Sequence, residues 1–167
     1  MCIRDRYEGD LRTARRILKR TTETDPDLLL ALALLGRTKV DSAPDVGSAF
    51  LTLARVDSAA AAAKLVTAAP QVPDASALLL NAAARIYSAR HNDSSAIALW
   101  DRIVKDYASA PEAAEAELEW ARTLRRNGDR AGAVAHLEHM ILTYPRSALV
   151  PQARRELDLA RQSVPSI

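Results

Sequence analysis

The chain has little with which to build a sheet, a disulfide framework or a membrane span. Its 167 residues include one cysteine, one phenylalanine, two tryptophans and four tyrosines, against 33 alanines. That balance favours helices packed closely through small side chains over sheets, whose pleated faces want β-branched and aromatic residues. With no second thiol beside Cys2, neither an internal disulfide nor a thiolate metal cluster is available. No apolar run approaches the roughly 20 residues that cross a bilayer; "LLLALALL" at 28–35 is short and bracketed by Asp27 and Arg37. The net charge of +2 creates no global field to recruit nucleic acid or a membrane, and an aromatic platform for bases is missing. The five glycines stand singly, and no phosphate loop, H-E-x-x-H or G-x-S-x-G pattern occurs. The expectation is a protein without catalytic residues, cofactor or metal.

The opening Met1-Cys2-Ile3-Arg4-Asp5-Arg6 back-translates as ATG-TGT-ATA-AGA-GAC-AG. It resembles a transposon mosaic end, used as a sequencing adapter, read in frame. Residues 1–6 are therefore expected to be non-native and Cys2 to carry no chemistry; without them the net charge is +1.

What the chain does have is a spacing. A helix-capping residue is followed by Ala after four positions, a large apolar residue after four more, and a breaker eight further on. The segments are Asp10-Ala14-Leu18-Pro26, Asp57-Ala61-Leu65-Pro73, Asn92-Ala96-Trp100-Ala108 and Asp129-Ala133-Leu137-Pro145, of which only the third lacks the proline. Each reads as the second helix of an αα-hairpin. Asp or Asn accepts from the orphan N–H groups of the helix start. Ala lets a neighbouring helix approach, the large residue fills the gap, and Pro cannot continue the helix. Gly9 and Gly128 supply backbone freedom to two of the turns. Ala83, Ala84 and Tyr87 precede Ala96 by the same offsets at which Trp120, Ala121 and Leu124 precede Ala133, a unit step of 37 residues.

This pattern resembles the tetratricopeptide repeat (TPR) family, with its period of about 34 and its W-x2-L-G-x2-Y…A-x3-F…P signature. Leu80 or Glu117 occupies the Trp position and Ala84 or Ala121 the Gly position. The resemblance covers most of 7–164. It implies an all-α, TPR-type αα-hairpin solenoid of about nine helices, ending in a C-terminal capping helix. The expected organisation is the second helix of a truncated repeat at 7–26, an irregular or degenerate region at 27–73, TPR units at 74–110 and 111–146, and a capping helix and tail at 147–167. Within the irregular region, helices are expected near 27–40, 45–55 and 58–69, an odd number that leaves the pairing open. "YPRSALVPQA" at 144–153, which aligns with "YASAPEAAEA" at 107–116, looks like the joint of TPR proteins in the Gram-negative envelope. That likeness implies the periplasm and envelope partners.

In TPR proteins the first helix of each hairpin lines a concave groove. The ligand-reaching offsets fall on Asn81, Arg85 and Ser88 in one unit and on Leu118, Arg122, Arg125 and Arg126 in the next. Asn and Arg so placed resemble the clamp by which some TPR domains hold a terminal carboxylate, which suits the planar fork of arginine. The plainer reading pairs the arginines with Glu115 and Glu119 on their own helix. His136 and His139 lie one turn apart but lack a third ligand nearby, so a solvated surface is expected rather than a metal site. Arg12, Arg15, Arg16, Lys19 and Arg20 form a basic face that either docks an acidic partner or anionic lipid or is simply solvated. Trp100 and Trp120 are expected in the core.

The functional expectation is a non-catalytic scaffold binding a peptide or partner protein in the groove, without nucleic acid or membrane insertion. Two alternatives stand beside it: the C-terminal docking or regulatory segment of a longer enzyme, and a homo-oligomer formed through the apolar helix around 28–35.

Overall fold

The computed structural model describes residues 9–18, 25–55 and 58–162. Among them the fold is all-α, with nine α-helices and no strand. Residues 1–6 with Cys2, together with Lys19, Arg20 and Asp57, lie outside the described residues. The chain divides into two compact units, Met1–Ala89 and Arg90–Ile167.

The first unit contains α1 (Leu11–Leu18), α2 (Pro26–Arg37), α3 (Pro44–Ala54), α4 (Ser58–Ala68) and α5 (Ser76–Ala89), with short 3₁₀ turns at Ala69–Gln71 and Pro73–Ala75 before α5. Asp25 opens α2 by accepting from the N–H groups of Asp27 and Leu28, and Pro26 sits in the first turn, where its missing donor costs little. The three helices of the irregular region do not pack alike. Helices α3, α4 and α5 pack in sequence through the fully buried Ala61, Ala62, Leu65 and Ala68 of α4, whereas α2 lies against α1 and only touches α3. Pro70 and Pro73 stop α4 from running on, and the Ser76 hydroxyl donates to the carbonyl of Ala69 at 2.7 Å.

Helix α1 is pinned by backbone hydrogen bonds as well as by its buried Leu11 and Ala14. The Gly9 carbonyl accepts from Ala43 N at 2.8 Å, and Arg12 N donates to Asp41 O at 3.1 Å. A Cβ on Gly9 would stand 2.4 Å from the Ala43 carbonyl oxygen, and its φ of +79° is itself unfavourable to other residues. The Arg15 guanidinium donates to Leu35 O, Thr38 O and Val40 O, satisfying carbonyls at and beyond the end of α2. Arg12 pairs with Asp41. The basic face is thus partly a structural staple, a role that helical spacing could not reveal.

The second unit contains α6 (Asp93–Asp106), α7 (Pro111–Arg126), α8 (Arg130–Thr143) and α9 (Val150–Gln162), each packed on the next. Asn92 and Asp129 cap α6 and α8 by accepting from Ser95 N and Gly132 N, as Asp10 caps α1 through Thr13 N. Gly128 turns the chain between α7 and α8 at a φ of +88°. The two similar joints adopt one geometry. Tyr107 N donates to Ile103 O and Ala110 N to Tyr107 O; Tyr144 N donates to Met140 O and Ser147 N to Tyr144 O, all at 2.8–2.9 Å. The sequence repeat is therefore also a repeat of backbone conformation.

The core of this unit is built from Ala114, Leu118 and Ala121 of α7, Ala133, Leu137 and Met140 of α8, and Ala153 and Leu157 of α9. Pro151 falls in the first turn of α9, which turns Arg154, Arg155 and Asp158 outward. Trp100 is fully buried, and Trp120 is half-buried against His136. Ala133 has no exposed surface, so Ala133→Leu should overpack the α7–α8 contact and cost about 1–3 kcal/mol. Gly128→Ala, which meets no neighbouring atom, should cost only the left-handed penalty of about 1–2 kcal/mol. Urea unfolding of both variants measures the difference; an unaltered midpoint for Ala133→Leu would remove that residue from the helix contact.

Candidate binding surface on helix α7

Helix α7 begins where Ala110, in extended conformation, leads into Pro111. Its apolar stripe turns Ala113, Ala114, Leu118 and Ala121 inward, which leaves Arg122, Arg125 and Arg126 toward the edge of the unit. These arginines hold carboxylates from two other helices. Arg122 Nε donates to Glu156 Oε1 at 3.0 Å and its Nη1 to Glu119 Oε1 at 2.7 Å. Arg125 Nη2 donates to Glu156 Oε2 at 3.1 Å. Arg126 Nη2 donates to Asp93 Oδ1 at 2.7 Å, and the Asn127 amide donates to the other oxygen of Asp93 at 3.0 Å.

Two guanidiniums therefore converge on the single carboxylate of Glu156, one on each oxygen. Glu156 is well shielded, its side chain 15% exposed, while that of Arg125 is 40% exposed. Burial opposes the charge of Arg122, but hydrogen bonding and charge from Glu119 and then Glu156 outweigh it and raise its pKa. The expected pairing with Glu119 is present. Glu156 was not anticipated, because it lies 34 residues from Arg122 and only the packing of α9 brings it there.

The other residues expected to contact a partner are distributed differently. Leu118 belongs to the core of the second unit. Asn81, Arg85 and Ser88 stand on α5 in the first unit, where Asn81 is buried, Arg85 exposed and Ser88 intermediate. The Asn81 Oδ1 has no hydrogen-bond partner.

On the flank of α7 that meets α8, His139 is exposed and His136 partly so, yet both reach inward to one carboxylate. Glu117, 1% exposed, receives His136 Nδ1 on one oxygen at 2.6 Å and His139 Nδ1 on the other at 2.5 Å. The His136 ring lies 3.8 Å, centroid to centroid, from Trp120. Glu117 is thus a buried carboxylate with two imidazole partners. Its spacing to them, 19 and 22 residues, follows no motif. Tyr144 stands nearby: burial, and then the charge of Glu117, raise the pKa of its phenol.

A cleft of about 750 Å³ separates the two joints and is lined by Ser109, Pro111, Thr143, Tyr144, Arg146 and Ser147 among others. Among the described residues, no three His, Cys, Asp or Glu side chains form a group able to hold a metal ion, and no helix is long and apolar enough to cross a membrane. Compared with known proteins, the chain matches no family model, no curated protein and no solved structure.

The Arg122–Glu156 pair should couple modestly, since both side chains keep some contact with water. A double-mutant cycle with Arg122→Met and Glu156→Gln, read by urea unfolding, should give about 0.5–1 kcal/mol. Additive single effects would show that the Arg122–Glu156 pair contributes nothing to holding α9 on α7.

Proposed function

We propose that this chain is a TPR-type helical scaffold that binds a peptide or protein partner without catalysis, with Arg125 and Arg122 of α7 taking a carboxylate of the ligand. The reading rests on the recurring cap–Ala–large spacing. In every described case its capping residue accepts a backbone hydrogen bond, and Ala14, Ala61, Ala96 and Ala133 are all buried. The observation that carries the functional half is the convergence of two guanidiniums on one carboxylate. Arg125 spends a single N–H donor on Glu156 and so retains most of the five that a guanidinium offers. It is exposed and already oriented, which lowers the ordering cost of a new carboxylate contact. Arg85 and Ser88 on α5 are proposed as a separate contact in the first unit. The likeness of the 144–153 joint to envelope TPR proteins extends the proposal to the periplasm.

An array of peptides with free C-terminal carboxylates, each beside its amidated counterpart, tests this reading. The wild-type chain should retain a subset of the free-carboxylate forms. Arg122→Glu combined with Arg125→Glu should lose that subset while helical circular dichroism is preserved. Equal retention of free and amidated peptides, or equal retention by the charge-reversed chain, would overturn the role given to the arginines.

A further inference from the structure

In the first unit, Arg15 is satisfied as a donor but not as a charge. Its Nε and Nη2 donate to the carbonyls of Leu35, Thr38 and Val40, all of them neutral acceptors. Among the described residues the one carboxylate within ion-pair reach is Asp41, 3.7 Å from Nη1, and Arg12 already holds it. The Arg15 side chain is only 27% exposed. A charge drawn from water to that extent is costly to leave without a close counter-ion.

Arg15 also lines a cleft of about 580 Å³ at the C-terminal end of α2, beside Leu32, Leu35, Gly36, Arg37 and Lys39. Three cations and no carboxylate border this cleft. Lys39 is exposed and, among the described residues, makes no ion pair. The wall at Gly36 is open, since a Cβ added there would meet no atom within 4 Å.

We propose that this cleft docks an acidic segment of a protein partner, in which carboxylates flank an apolar side chain. The carboxylates meet Arg15, Arg37 and Lys39, and the apolar side chain lies against Leu32 and Leu35. Three backbone carbonyls already orient the Arg15 guanidinium, which lowers the ordering cost of the contact. Lys39 supplies a point charge on a flexible stem that adapts to the segment. The sign of the lining selects the occupant. A second copy of the chain docking through the same cleft would oppose cation to cation. A flat anionic membrane would reach Lys39 but not Arg15, which is held half-buried across the end of α2. The site belongs to the first unit and is independent of the α7 arginines.

Fluorescence anisotropy of a short labelled peptide of glutamate and leucine, amidated at its C-terminus, tests the proposal beside its glutamine-for-glutamate counterpart. The wild-type chain should bind the glutamate peptide and leave the glutamine peptide free. Lys39→Glu should weaken binding about tenfold. Gly36→Glu, which places a carboxylate at the open wall without removing a native contact, should weaken it similarly. Far-UV circular dichroism should be unchanged in both, and either variant suffices if the other fails to fold. Equal binding of the two peptides, equal binding by wild type and the folded variants, or binding to phosphatidylserine vesicles in place of the peptide would overturn the proposal.

Discussion

Close approach of helix backbones is the constraint on which the rest of this structure depends. Ala61, Ala96 and Ala133 have no exposed surface at all, and Ala96 and Ala133 each stand four residues after the side chain that caps their helix. A methyl group at that place lets the next helix come near enough for a Leu or Trp one turn later to fill the space beside it. The residues that punctuate the chain serve the same end. Gly128, Asp129 and the proline-bearing joints hold each helix to a length that returns the small residue to its contact. A larger side chain would push the helices apart and loosen every contact farther along them.

The polar side chains that matter most are those the close packing cannot dispense with. Glu117 occupies a buried position facing α8 and is tolerated there because His136 and His139 satisfy both of its oxygens. Arg15 is held across the end of α2 because loop carbonyls need donors. Arg122 and Arg125 join α7 to α9 through Glu156. In each case a side chain from one helix completes the hydrogen bonding of another, so ion pairs and caps set helix positions that apolar area would leave loosely determined. The same economy explains why the arginine row can serve recognition: an internal carboxylate orients it, while Arg125 keeps donors toward solvent.

Much of the fold was legible along the chain. The small-residue composition announced helices, and the capping spacing placed α1, α4, α6 and α8. The three helices of the irregular region also fall near their expected positions, at Pro26–Arg37, Pro44–Ala54 and Ser58–Ala68. Their pairing was not legible, because an odd number of helices can be grouped in more than one way and local periodicity has no term for the choice. Among the candidate binding residues, the pairing of Arg122 with Glu119 is a matter of three residues along one helix. The burial of Leu118 and Asn81 depends on what packs over them.

Local chemistry thus decided where helices start and stop, since caps, prolines and alanine spacing act within a turn or two of the residue that supplies them. The sequence by itself also excluded an internal disulfide and a thiolate metal cluster, which need more than one cysteine, and it lacks the familiar catalytic motifs because its Gly, Ser, His and Glu residues do not stand at those spacings. Only the tertiary structure decided that Arg122 and Arg125 share Glu156, and that Glu117 lies between two histidines. These partners are 19 to 34 residues apart, and no local interaction links them. They meet because α7, α8 and α9 bury their alanines against one another, and that packing fixes which polar groups are carried inward together.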